Sequence, residues 1–168
     1  MNLTQLKAGE QVRYSGSMIV MRDAAQKRLE SLLNHDQRLP IDMSGKIVFY
    51  AGPTRVVNGR FAIGPTTSER MDKYLKMLFE LGVSATVGKG KRSELAKRLC
   101  REYKRVYLLA PSGAAAALSE YVESMTLLAF EDLGTEAIYE INVRNFPLIV
   151  AIDSDGRDLF EMIKSNSE

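Results

Sequence analysis

The sequence predicts an α/β domain in which mixed sheets are covered by helices. Short apolar runs closed by Gly or Pro, such as KIVFYAG and RVYLLAP, alternate along the chain with segments of helical spacing. An Asn58-Gly59 pair and a late alternating stretch add hairpin and half-exposed strand character, so the sheet is not purely parallel. A chain of 168 residues, 45% hydrophobic and 26% charged, has the size and composition of one domain with one core.

Taken in order, EQVRYSGSMIVM reads as a strand or hairpin entering the core. In RDAAQKRLESLLNHD, Ala25, Leu29, Leu32 and Leu33 fall on one helical face, with Asp23 as N-cap. RLPIDMSG is a loop and KIVFYAG a buried strand; TRVVNGRFAI carries the hairpin signal. Met71, Tyr74, Leu75 and Leu78 then mark a helix from Thr66 to about Leu81, with Thr66 and Glu69 spaced as a capping box. GVSATVGKG is a short strand ending in a glycine loop, and KRSELAKRLCREY a helix capped by Ser93. RVYLLAP is a buried strand, SGAAAALSEYVESM a small-residue helix and TLLAFEDLG a strand. TEAIYEINVRNF and PLIVAID are two further strands; Asp155-Gly156 turns into a last helix, RDLFEMIKS. The small-residue run packs closely either on a partner or on the sheet.

Composition excludes several functions. A net charge of +2, with cations scattered among acids, is no nucleic-acid footprint. No window approaches the ~18 apolar residues of a membrane span. The start has no basic region followed by an apolar run, and with one cysteine no intramolecular disulfide forms, so a cytoplasmic location is expected. One Cys (Cys100) and one His (His35) cannot assemble a metal centre, so any metal comes from a partner chain. Cys100 reads as a core thiol and His35 as a solvated turn residue.

The chemistry concentrates where strands hand over to helices, the usual ligand edge of an α/β sheet. Three of these corners carry a cation: Arg22 after MIVM, Arg70 in GPTTSERMDKY, and Lys89 in VGKGKRS. Helix N-termini favour anions, so a cation there costs roughly 0.3–1 kcal/mol at an exposed site. Three such residues on one edge are explained if they meet an anion. Arg22 and Arg70 offer forks suited to carboxylate or phosphate, and Lys89 a point charge on a flexible stem. Plainer roles stay open at this level: Arg22 paired with nearby acids, GKGKR as a solvated turn, Thr66 as a cap alone. GKGKRS lacks the spacing of a phosphate loop, so phosphate is not favoured over carboxylate.

GSMIVMRDAAQKRL, YAGPT, GPTTSERMDKY, VGKGKRS, SGAAAAL, LAFEDLGTEAIYEI and NFPLIVAIDSDG together run nearly the length of the chain. In this combination the chain resembles the β subunit of two-subunit class I fumarases and L-tartrate dehydratases, equivalent to the C-terminal domain of the single-chain enzymes. Met21 and Glu69 depart from the family's usual Ala and frequent Gly; Glu69 adds a carboxylate near the expected site. The resemblance implies a swivelling β/β/α domain and a partner α subunit carrying a [4Fe–4S] cluster, with two α and two β chains as the natural assembly. It implies reversible hydration of a dicarboxylate, fumarate to L-malate in the commonest case and tartrate dehydration as the alternative. It further implies Arg22, Arg70 and Lys89 as substrate-carboxylate ligands and Thr66 as the group for proton abstraction, assisted by an acid from the partner. A stand-alone anion-binding module and a purely structural subunit are the competing readings.

Overall fold

The structure, a computed structural model, describes residues 2–57, 60–111 and 119–167. Among the described residues seven strands form one mixed sheet: β1 (Gln11–Met21), β2 (Ile47–Val57), β3 (Arg60–Pro65), β4 (Ala85–Gly88), β5 (Val106–Leu109), β6 (Val122–Ala129) and β7 (Ile138–Ile152). Helices α1 (Asp23–Asn34), α2 (Leu75–Glu80), α3 (Glu94–Tyr103) and α4 (Leu159–Ser167) accompany it. The α/β class is as the sequence predicts. No helix among the described residues is long and apolar enough to cross a membrane.

The strand order is β1-β2-β4-β5-β7-β6, with β3 on β2, and β7 also pairs back onto β1. Strands β1, β2, β4, β5 and β7 therefore close into a ring. The β1–β2, β2–β4 and β4–β5 pairs are parallel; both of β7's ring pairings are antiparallel. Closure removes two sheet edges that would otherwise need covering.

The parallel strands are apolar on both faces, as burial on both sides demands. Met18, Val20, Phe49, Val87, Leu108 and Phe146 belong to one buried cluster; Ile19, Met21, Val48, Tyr50 and Tyr107 alternate with them and pack in a second with Leu29, Leu75 and Leu99 of the helices. Phe49 and Phe146 meet edge to face with ring centroids 5.8 Å apart. The helix face is thus also the face that carries the strand-to-helix corners.

Several boundaries differ from the sequence reading. The two expected strands at TEAIYEINVRNF and PLIVAID are one, β7, bent by a bulge: Arg144 and Asn145 face the single Ser15, between the pairs Gly16↔Val143 and Tyr14↔Phe146. Asn145 takes the left-handed conformation (φ 51°) that Asn tolerates better than most residues. The bend lets β7 serve β6 with its first half and β5 with its last residues. Val122–Met125, expected in the small-residue helix, begin β6 instead, held by pairing to Val143, Asn142 and Ile141. Within the rest of that run, residues 112–118 lie outside the described residues, as does the Asn58-Gly59 turn, although Val57 and Arg60 pair as a hairpin requires.

Candidate functional site

Three segments meet beyond the strand ends. Strand β1 runs out at Met21 and delivers Arg22, which caps α1 in an extended conformation; Asp23, expected as the cap, is the first helical residue. The Arg22 side chain lies along the backbone of Gly52 on β2. A Cβ built there would stand 3.1 Å from Arg22 Cδ, 3.2 Å from Nη1 and 3.5 Å from the Thr135 carbonyl oxygen. Glycine at 52 is what makes room for the guanidinium. Arg22 Nε is buried and has no hydrogen-bond partner. Leaving such a donor unmet costs free energy.

The second segment follows β3. Thr66 does not cap a helix: its N–H and hydroxyl both donate to the Tyr50 carbonyl, at 2.8 and 3.0 Å, extending the β2–β3 pairing. The expected helix from Thr66 to Leu81 begins only after Ser68, as a 3-10 turn over Glu69–Tyr74 that runs into α2. The apolar face is as predicted, with Met71, Leu75 and Leu78 buried. Arg70 stands on the outer side of that turn, half exposed. It donates to Asp23 from Nε at 3.1 Å and from Nη2 at 2.9 Å, a bidentate pair that leaves Nη1 uncommitted. This bond to Arg70, ahead of the nearby Arg22 charge, holds the Asp23 carboxyl below its usual range. Glu136, which accepts weakly from the Ala24 N–H at 3.5 Å, also adds its charge beside Arg70.

The third segment is the loop after β4. Lys89 is exposed; its backbone bridges to Thr67, and its carbonyl accepts from the Ser68 N–H at 3.1 Å. Arg22 and Arg70 are therefore brought together around Asp23, and Lys89 is tied by backbone to the loop that carries Thr66 and Arg70. Glu69 points elsewhere: it lines a cavity of about 380 Å³ with Lys91, Glu94, Lys97 and Phe160. Its carboxylate is not part of the Arg22–Arg70 grouping.

Beneath these segments lies a polar network that sequence reasoning missed. Arg92 is fully buried and donates to Asp72 Oδ1 (2.6 Å), Thr86 Oγ1 (2.9 Å) and the Tyr50 hydroxyl (3.2 Å). Its guanidinium also lies over the Tyr50 and Tyr107 rings, at 5.1 and 4.8 Å from their centroids. The other Asp72 oxygen accepts from the Ser93 N–H and hydroxyl, so Ser93 caps α3 by position while its side chain serves Asp72. Tyr107 reaches Ser68 Oγ and the Gly90 carbonyl, each at 2.8 Å. Burial would lower the Arg92 pKa, but Tyr50, Asp72 and Tyr107 outweigh it and the group stays a cation. A lone Arg in KGKRS and an Asp twenty residues earlier give no local signal of pairing.

Cys100 is buried in the helix-side core, and burial pushes its thiol up to about 12. A metal ligand needs the thiolate, and a cluster needs several. This chain's residues do not fit an iron–sulfur group. Among the described residues no three His, Cys, Asp or Glu side chains are grouped to hold a metal ion.

Comparison with known proteins supplies the family. A family model described as Fumarase C-terminus matches residues 1–163. The "Putative L(+)-tartrate dehydratase subunit beta" of Methanocaldococcus jannaschii is 36% identical over 170 residues, covering 96% of this chain and 87% of the relative. "Fumarate hydratase 2" of Leishmania major is 34% identical over 94% of this chain, and "Fumarate hydratase class I, anaerobic" of Escherichia coli 33% over 96%. The chain spans only 28% and 30% of the length of those two relatives, respectively. With residues 1–163 of its sequence matched and its α/β architecture described, this chain belongs to the fumarase C-terminus family.

Proposed function

We propose that this chain is the β subunit of a two-chain hydro-lyase that reversibly hydrates fumarate to L-malate. In this reading Arg22, Arg70 and Lys89 hold the substrate carboxylates, and an α subunit carries the [4Fe–4S] cluster. The observation that carries it is that Arg22 and Arg70 flank one carboxylate, Asp23, with the exposed Arg70 Nη1 left uncommitted. Two forked cations with free donors suit a diacid better than a neutral ligand.

Dehydration of malate removes a C–H proton next to one carboxylate and expels hydroxide from the adjacent carbon. As the C–H bond breaks, its electron pair spreads onto that carboxylate, where preoriented cations stabilise the growing charge. Thr66 is the proton-transfer candidate, and its geometry limits what it does alone. Its hydroxyl proton points at the Tyr50 carbonyl, which is no base, so Thr66 has a lone pair to offer but nowhere to pass its own proton. For the Thr66 oxygen to take the C–H proton, its own hydroxyl proton passes to a carboxylate of the partner subunit, the acidic side chain that assists it.

Tartrate dehydration is the second reading, favoured by the relative from Methanocaldococcus jannaschii, which is named as a beta subunit and is matched over 87% of its length. The test is turnover of fumarate, L-malate and L-tartrate by the reconstituted two-chain complex, with Thr66→Ser and Thr66→Ala alongside. Preference for fumarate and malate, with Thr66→Ser retaining activity that Thr66→Ala loses, supports the proposal. Preference for tartrate moves the assignment to the second reading, and equal activity of the two variants removes Thr66 from proton transfer. No turnover of any of the three, with arginine and lysine substitutions equally silent, leaves a structural or anion-binding subunit.

A further inference from the structure

The Arg70–Asp23 pair has a geometry beyond what charge neutralisation requires. Asp23 sits in the first turn of α1, where the helix end favours an anion and the short side chain keeps the carboxylate close to the helix. Arg70 belongs to a different segment, the 3-10 turn that follows Thr66. The two oxygens of Asp23 take Nε and Nη2 side-on, at 3.1 and 2.9 Å. A guanidinium gripped along that edge cannot rotate, and only Nη1 and the outer Nη2 hydrogen remain to bind anything else.

Both side chains are substantially exposed, 50% for Arg70 and 36% for Asp23. An exposed pair of this kind adds little to the stability of the fold. Its stability contribution therefore does not account for a bidentate grip between two elements at the ligand edge. Orientation does: without its carboxylate, Arg70 is a long side chain with many rotamers, and holding it in one of them is paid in advance of binding.

We propose that Asp23 is a positioning residue that locks Arg70 edge-on, so that its Nη1 side is presented to the incoming carboxylate. The proposal rests on the reading of Arg70 as a substrate ligand. Asp23 touches no substrate in it and acts only through Arg70.

A double-mutant cycle on the two-chain complex tests this, with kcat and KM for L-malate measured on wild type, Asp23→Ala, Arg70→Ala and the double variant. Asp23→Asn, which keeps an acceptor for one of the two donors, is the conservative control. The expected result is a 10- to 100-fold loss of kcat/KM in Asp23→Ala, expressed in kcat as well as KM, with a smaller loss in Asp23→Asn. In the Arg70→Ala background, removing Asp23 is expected to change kcat/KM by less than twofold, because nothing is left to orient. Multiplicative losses in the double variant, or Asp23→Asn as impaired as Asp23→Ala, overturn the positioning role and leave Arg70 as a ligand. An Arg70→Ala complex with wild-type kcat/KM overturns the underlying reading instead, and the proposal with it.

Discussion

Asp72, Arg92, Tyr50 and Tyr107 show at the residue scale how the ligand edge is held from below. The ion pair is buried, with every Arg92 nitrogen engaged, so removing one partner strands a charge without water. Arg92→Ala is expected to cost about 3–5 kcal/mol of stability, read as a lowered urea midpoint at unchanged slope. Arg92→Lys recovers little, because an ammonium cannot reproduce three separated donors and two ring contacts. Cys100 gives a pH signature of definite sign. Its folded pKa is about 12 against an ordinary 9.0, raised by burial, so its contribution is complete below pH 9 and lost as pH rises toward 12. The urea midpoint is expected to fall between about pH 8 and about pH 10, and to fall less in Cys100→Ala. Tyr50 and Tyr107, also raised chiefly by burial, keep part of the slope in that variant. Single residues were partly legible. The three corner cations stood out because helix ends disfavour them, whereas the Arg70–Asp23 and Arg92–Asp72 pairs join positions 47 and 20 residues apart that no local rule connects.

At the scale of elements, two glycines separate fold from function. Gly88 ends β4 against Ser68, and a Cβ there would fall 1.9 Å from Ser68 Oγ. Gly52 instead faces the Arg22 side chain, whose end can move. Gly52→Ala is expected to leave the thermal midpoint within a few degrees while lowering kcat/KM of the complex by roughly 10- to 1,000-fold, the scale of one lost transition-state donor. Gly88→Ala is expected to lower the midpoint as well, with partial recovery when Ser68→Ala is added. A Gly52→Ala complex that matches wild type in kcat/KM removes Arg22 from the site. Elements were legible where periodicity and punctuation agreed: α1, β4, α3 and β5 lie where the spacing predicts. They were illegible where tertiary partners override a local signal. The capping-box spacing at Thr66 lost to the Tyr50 carbonyl, and Val122–Met125, carried into a helix by the small residues before them, were claimed by β7.

The whole molecule is a closed ring of strands with helices on its outer face, a rigid scaffold that brings the corners to one edge. Closure through β1 and β7 was invisible in the sequence, since pairing of strands more than a hundred residues apart depends on the bulge at Asn145 rather than on any run of residues. Among the described residues the scaffold groups no ligand set for iron. The purified chain is accordingly expected to bind no iron and to turn over none of the three substrates, both gained on adding the α subunit; activity of the isolated chain would refute the division of labour.

The claim on which the account turns is that Arg70 grips a substrate carboxylate. Its most direct test is kcat/KM for L-malate of the two-chain complex, wild type against Arg70→Ala, with thermal midpoints taken on the same samples. The account predicts a loss of at least about 100-fold at an unchanged midpoint, the cost of one transition-state donor. An unchanged kcat/KM, or a loss that follows a lowered midpoint, contradicts it.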